Sequence, residues 1–247
     1  MFDYSAPEQL LKDRIILVTG AGDGIGKAAS KTFAQYGATV ILLGKTIAKL
    51  EAVYDEIEQA NGPKPAIYPM NLEGATAKDF EDMQVTLDNE FGHLDGILHN
   101  AVLLGTLMPI SQFDMAHWGK IMQVNLNAPY MLTRTCLPLL EKSTAASVIF
   151  TTDDVGIKGK AYWGAYAISK AAGDNMMQIL ADEMEMNTPI RFNSINPGAV
   201  ATNMRAKAYP GQDPSALPKP EDIMNTYLYL MGTESKDING QIINAQA

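Results

Sequence analysis

Ile15-Ile16-Leu17-Val18-Thr19-Gly20-Ala21-Gly22-Asp23-Gly24-Ile25-Gly26 is an apolar run that ends in glycines, and Lys27 to Tyr36 continue it as a helix. A short continuous apolar run bounded by turn residues is strand material buried on both faces. The glycines then mark a strand-to-helix turn. A helix N-terminus offers unpaired backbone N–H groups and a partial positive charge, and glycines let a phosphate come close to that backbone. The turn therefore suits the pyrophosphate of a nucleotide cofactor. A Walker loop is a poor fit, because Ala21 stands at its first glycine and Ala28 replaces the hydroxyl that would hold magnesium. The dinucleotide fingerprint Gly-x-Gly-x-x-Gly/Ala is met loosely, through Gly24, Gly26 and Ala29.

Outward from this turn, apolar runs alternate with helical patterns. Strands are expected at 14–19, 38–43, 66–70, 95–100, 146–151, 189–195 and 241–244, with helices near 24–36, 46–60, 75–91, 114–141, 161–187 and 220–231. This alternation predicts a single-domain, doubly wound α/β fold of Rossmann type over 1–247, with about seven parallel strands and helices on both faces. Gly37 and Gly62 stand where helices should stop. Pro129 and Pro138 are expected to bend or divide the long helical region. The stretch 197–219, with Pro197, Pro210, Pro214 and Pro218, is irregular. It reads as a lid over a substrate pocket, to which Met204, Tyr209 and Leu217 bring apolar side chains.

With 247 residues, 47% of them hydrophobic, the chain can bury one sizeable core. A net charge of −9 opposes general binding to nucleic acid or anionic lipid. No apolar run is long enough for a membrane span, and Met1 to Lys12 lack the pattern of a secretion signal. Cys136 is the single cysteine and reads as a small buried hydrophobe, which fits a reducing cytoplasm. The three histidines, His93, His99 and His117, lack metal-ligand spacing, so no metal site is expected.

Tyr166-Ala167-Ile168-Ser169-Lys170 places a phenol and an ammonium on one helical face. A neighbouring cation favours the phenolate, so the pair could exchange a proton with a carbonyl or alcohol oxygen. Taken with the first turn and the segments that follow, the chain resembles the short-chain dehydrogenase/reductase family over nearly its whole length, and within it bacterial oxidoreductases of the 3-oxoacyl-ACP-reductase kind. Thr19–Gly26 looks like the family's cofactor turn, with Gly20, Asp23, Gly24, Ile25 and Gly26 in it. His99-Asn100-Ala101-Val102 resembles its Asn-Asn-Ala-Gly segment. Asn125, Tyr166 and Lys170 match three members of its catalytic tetrad, and Asn196-Pro197-Gly198 with Thr202 matches the segment beside nicotinamide. Gly240-Gln241-Ile242 resembles the closing strand.

The resemblance implies nicotinamide-dependent hydride transfer on a small carbonyl or alcohol. In it Tyr166 would be the acid/base, Lys170 would hold the ribose and depress the tyrosine pKa, Asn125 would position a water, and Thr202 would bind the carboxamide. It also implies a homodimer or homotetramer built on the helices near 114–141 and 161–187. Cofactor choice has its own physical argument. NAD sites place an acid after the second strand for the ribose 2′-OH. Here no acid occurs between Ala38 and Leu50, and Lys45 offers a positive charge for a 2′-phosphate, so NADP(H) is expected over NAD(H). Asn71, with Leu72 after it, follows the third strand and could hydrogen-bond the adenine.

Two positions depart from the family pattern. Asp153 stands thirteen positions before the tyrosine, at the family's substrate-orienting serine. An ionised carboxylate only accepts hydrogen bonds, opposes negative charge on a substrate oxygen, and raises the tyrosine pKa. Three readings are open: Asp153 protonated and donating, a hydroxyl of Thr151 or Thr152 substituting (strand alternation favours Thr151), or a cofactor-binding protein with impaired catalysis. An ionised Asp153 could also bind a cationic substrate group. Val102, at a family glycine, adds bulk at the nicotinamide end. Lys158 and Lys160 could meet an acidic carrier, although loop lysines are usually just solvated.

Overall fold

Alternate residues of the first strand go to opposite cores. In the computed structural model, which describes residues 3–246, strand β1 (Ile15–Thr19) sends Ile16 and Val18 to one apolar cluster and Leu17 to the other. The ends of the expected 1–247 domain, Met1, Phe2 and Ala247, lie outside the described residues. Strand β2 (Thr39–Gly44) divides likewise, with Val40 and Leu42 on one side and Ile41 and Leu43 on the other. Each such side chain, fully buried, contributes about 1.5–3 kcal/mol. The two buried faces explain why the strands read as unbroken apolar runs.

Five further strands complete the sheet: β3 (Ala66–Pro69), β4 (Gly96–His99), β5 (Ser147–Thr151), β6 (Arg191–Asn196) and β7 (Ile242–Asn244). The order is β3-β2-β1-β4-β5-β6-β7, all parallel, with Leu17 of β1 in register with Ile41 on one side and Ile97 on the other. The direction of winding reverses between β1 and β4, and ligands of such sheets bind beyond the carboxyl ends of the strands at that point.

The helices are α1 (Gly24–Gln35), α2 (Ile47–Gln59), α3 (Ala77–Phe91), α4 (Met115–Met122), α5 (Ala128–Leu140), α6 (Asp154–Ile157), α7 (Gly164–Glu185), α8 (Asn203–Ala208) and α9 (Met224–Met231). Helix α1 stops just before Gly37, at φ +99°; after α2 the left-handed residue is Asn61 rather than Gly62. The expected helix over 114–141 is divided, but not by a proline kink. A π-turn over Gln123–Asn127 separates α4 from α5. Pro129 lies in the first turn of α5, where its missing N–H costs little and denies the Asn125 carbonyl its usual amide partner. Among the described residues no helix is long and apolar enough to cross a membrane.

Candidate active site

At the carboxyl ends of β1, β4 and β5 a cavity of about 590 Å3 opens. Its floor begins with the glycine turn. Gly20 (φ +67°) and Gly24 (φ +52°) hold backbone conformations that L side chains rarely adopt. A Cβ on Gly26 would lie 2.3 Å from the Gly20 carbonyl and 2.6 Å from Asn100 Nδ2, so α1 can pack against the turn only with glycine there. The α1 N-terminus is not bare, however. Asp23 caps it, accepting from the Gly24 amide at 2.8 Å. The same carboxylate takes Lys49 Nζ at 2.5 Å and Asn203 Nδ2 at 3.2 Å. The pull of Lys49 holds Asp23 below the usual carboxylate range.

Most of the expected residues meet around this cavity. Gly20, Asp23, Gly24, Ile25, Lys45, Asn71, Leu72, Asn100, Ala101, Asp153, Tyr166, Lys170, Pro197, Gly198 and Thr202 all line it. Gly26 lies behind the turn, and Asn125 lines a separate cavity of about 20 Å3 behind Lys170. The Asn125 amide is already spent. Its Oδ1 accepts from the Leu103 amide (2.8 Å), and its Nδ2 donates to the Leu103 carbonyl and to Ser169 Oγ (3.0 Å each). Asn125 therefore anchors the strand-end loop that forms one cavity wall.

Helix α7 delivers Tyr166 and Lys170, both buried. The phenol donates to Asp153 Oδ2 at 3.1 Å. Burial first, and the Asp153 charge second, hold the tyrosine well above its ordinary value, so it keeps its proton at neutral pH. The expected depression of the phenol by Lys170 is thus not what the site produces. The ammonium lies 5.7 Å from the Tyr166 ring centre and donates to the Thr151 carbonyl at 2.6 Å. Burial pulls Lys170 down to about 8, against the raising charges of Asp153 and Asp174.

Asp153 has a structural duty that its position in the sequence did not announce. Its Oδ1 accepts the Val155 amide at 3.1 Å and caps α6. Serine and aspartate are comparable N-caps, so the exchange keeps this turn while reversing the hydrogen-bonding sense at the phenol. Neither threonine takes the serine's place. Thr152 donates to Asp174 (2.6 Å), and the Thr151 hydroxyl, without a close hydrogen-bond partner, faces Tyr227 beneath the sheet.

Residues 197–219 are less irregular than the prolines suggest. Thr202 caps α8 through the Arg205 amide, and a short 3-10 turn follows at Pro214–Ala216. Met204 and Tyr209 reach the cavity as expected; Leu217 does not line it. Trp163, Lys49, Asn203 and Asp174 were not anticipated. Trp163 is set by Tyr162, a bulky residue at φ +75° whose carbonyl is pinned by the Met108 amide at 3.1 Å. Such strain costs about 1–3 kcal/mol and clusters at functional sites. Asp174 follows Lys170 by one helical turn, a spacing visible in the sequence. His99 is fully buried on Thr133 (2.8 Å), and burial pushes it down to about 3.

The family model described as short chain dehydrogenase matches residues 14–213. The chain belongs to that family. It is 47% identical over 243 residues to the uncharacterized oxidoreductase YciK of Escherichia coli K12, covering 98% of this chain and 96% of that one. A short chain dehydrogenase structure from Pseudomonas syringae superposes with a TM-score of 0.98 at 53% identity, over the full length of both chains. Another, from Shigella flexneri 2a and complexed with NADP, gives 0.95 at 47% identity, covering 98% of this chain and all of the other. The short-chain dehydrogenase chain described here is accordingly an oxidoreductase by family.

Proposed function

We propose that this short-chain dehydrogenase is an NADP(H)-dependent oxidoreductase that moves hydride between nicotinamide and a carbonyl or alcohol, with Tyr166 as acid/base. The observation that carries the reading is the convergence of the Tyr166 phenol, Lys170 and the glycine turn on one cavity. The residues fit a dinucleotide: the turn carries no side chain at 20, 22, 24 or 26, so an anion can approach its backbone, displacing Asp23 from the Gly24 amide. Lys45 and Lys49 line the cavity, Lys49 already paired with Asp23, and no acid occurs between Ala38 and Leu50 to hold a ribose 2′-OH. The NADP held by the Shigella relative supports the same choice.

Bound there, a nicotinamide supplies or accepts hydride. Asn71 and Leu72 would border the adenine, Asn100 and Ala101 the central phosphates and ribose, and Pro197, Gly198 and Thr202 the carboxamide. Lys170 would hold the ribose, Asn125 would keep the 100–105 wall in place, and Tyr166 would give its proton to the substrate oxygen. Purified protein should bind NADPH more tightly than NADH and oxidise it with members of a panel of aldehydes, ketones and 3-oxoacyl thioesters. NADPH binding without turnover across that panel would favour a second reading, a cofactor-binding protein with impaired catalysis. That reading is favoured by the phenol being engaged by Asp153.

A further inference from the structure

The carboxylate at position 153 has the wrong sign for an ordinary ketone. Hydride addition to C=O puts negative charge on oxygen, and Asp153 Oδ2 lies 3.1 Å from the phenol that must serve that oxygen. The carboxylate is not free to swing away, because its other oxygen is held by the Val155 amide. The same group is well placed for a positive centre. From the chemistry of this pocket we infer that the preferred substrate is a protonated C=N group rather than C=O, its cationic nitrogen facing Asp153. The inference rests on the NADP(H)-dependent hydride-transfer reading above and moves its preferred substrate from C=O to C=N.

The walls agree with a cation carried on an apolar body. Trp163 lies 5.5 Å from the Tyr166 ring and 5.8 Å from Tyr209, and Leu104 and Met204 close the same cluster. Aromatic faces beside a carboxylate are a recurrent receptor for ammonium groups. Of the cations near Asp153, three have partners, while Lys207 lines the cavity without one among the described residues. Lys170 donates to the Thr151 carbonyl, and the charges of Asp153 and Asp174 both favour its ammonium form. Arg205 stacks on Tyr209 at 3.7 Å and donates to Gln212, and Lys160 donates to the Tyr209 hydroxyl. Asp154, the other nearby acid, is held by Asn196.

The reaction balances simply. The imine nitrogen enters with a proton, stabilised by Asp153. The carbon of C=N gains the hydride of the reduced nicotinamide, the π pair withdraws to nitrogen, the cation becomes a neutral amine, and the nicotinamide is oxidised to its cationic form. No negative charge forms beside the carboxylate at any point.

The test compares two probes that differ by one ring atom, 2-phenylpyrrolidine (cationic at neutral pH) and 2-phenyltetrahydrofuran. Binding is measured by calorimetry on the full chain, with and without NADP+, for the wild type, Asp153→Asn and Asp153→Ser. Both variants retain the helix cap. The wild type should favour the amine by about tenfold or more, as a charge-assisted contact provides, and both variants should lose that preference. Equal binding of the probes, or a preference that survives both substitutions, overturns the inference. In turnover, 2-phenyl-1-pyrroline should be reduced faster than acetophenone; the reverse order also overturns it. An NADPH titration run alongside reads the oxidoreductase assignment separately, and its failure removes both.

Discussion

Replacing Asp153 by Ser tests the electrostatics of the site on carbonyl substrates. Oδ2 stands 3.1 Å from the phenol oxygen. Two unit charges at that separation interact by about 5 kcal/mol at an effective dielectric of 20. The carboxylate is partly exposed, so solvent screening leaves about half of this, roughly 2–3 kcal/mol. That penalty falls on any negative charge that develops beside Asp153 as a ketone is reduced. Its removal is worth about 10²-fold in turnover, and the serine hydroxyl adds a donor in the same direction. The α6 cap survives, so melting should change by less than about 0.5 kcal/mol. The assay is loss of NADPH absorbance with a ketone panel, together with NADPH affinity from fluorescence. Unchanged or lower ketone turnover in Asp153→Ser, with NADPH affinity intact, would refute the argument.

Tyr166→Phe should cut turnover of carbonyl substrates by about 10²–10⁴-fold while NADPH fluorescence titrations stay the same, since the lost atom is the proton source for the substrate oxygen. Because burial holds Lys170 at about 8 and its charged form is the working one, kcat/KM for reduction should decline as pH rises through that value. In Asp174→Asn, which removes a charge that favours the ammonium, the midpoint of this decline should move to lower pH. Asp174→Ala leaves the Thr152 and Ser194 hydroxyls, now bonded to it at 2.6 and 2.7 Å, without their acceptor; urea denaturation should show a loss of about 1–3 kcal/mol or more. Gly26→Ala forces a carbon into the Gly20 carbonyl and Asn100, so it should cost about 1–3 kcal/mol in stability and abolish NADPH binding.

The sheet was legible because its signal is local. Each strand buries both faces, and the run Ile15–Val18 reads the same in sequence and in space. The cavity was legible as far as its residues carry unusual chemistry or glycine: Tyr166, Lys170, Asp153 and the first turn. What escaped depends on contacts across the chain. Asp23 meets Lys49 and Asn203, 26 and 180 residues away, and no pattern in the turn announces either. The division of 114–141 was assigned to prolines, whereas it lies at the π-turn that carries Asn125. A single extra residue in a helical repeat leaves almost no trace in hydrophobic spacing. Asp153 was read for its charge and its place at the serine position, while its capping of α6 escaped because the short helix after it, four residues long, leaves no pattern in the sequence.

The bonding of Asp23 joins the two ends of the crevice. This one carboxylate closes the mouth of the first helix and also moors the opening turn of α8, the helix from which Met204 overhangs the substrate end. An incoming diphosphate competes with it for the Gly24 amide and for the charge of Lys49. Whatever displaces Asp23 also loosens the roof, so occupancy at one end of the crevice is communicated to the other through a single side chain.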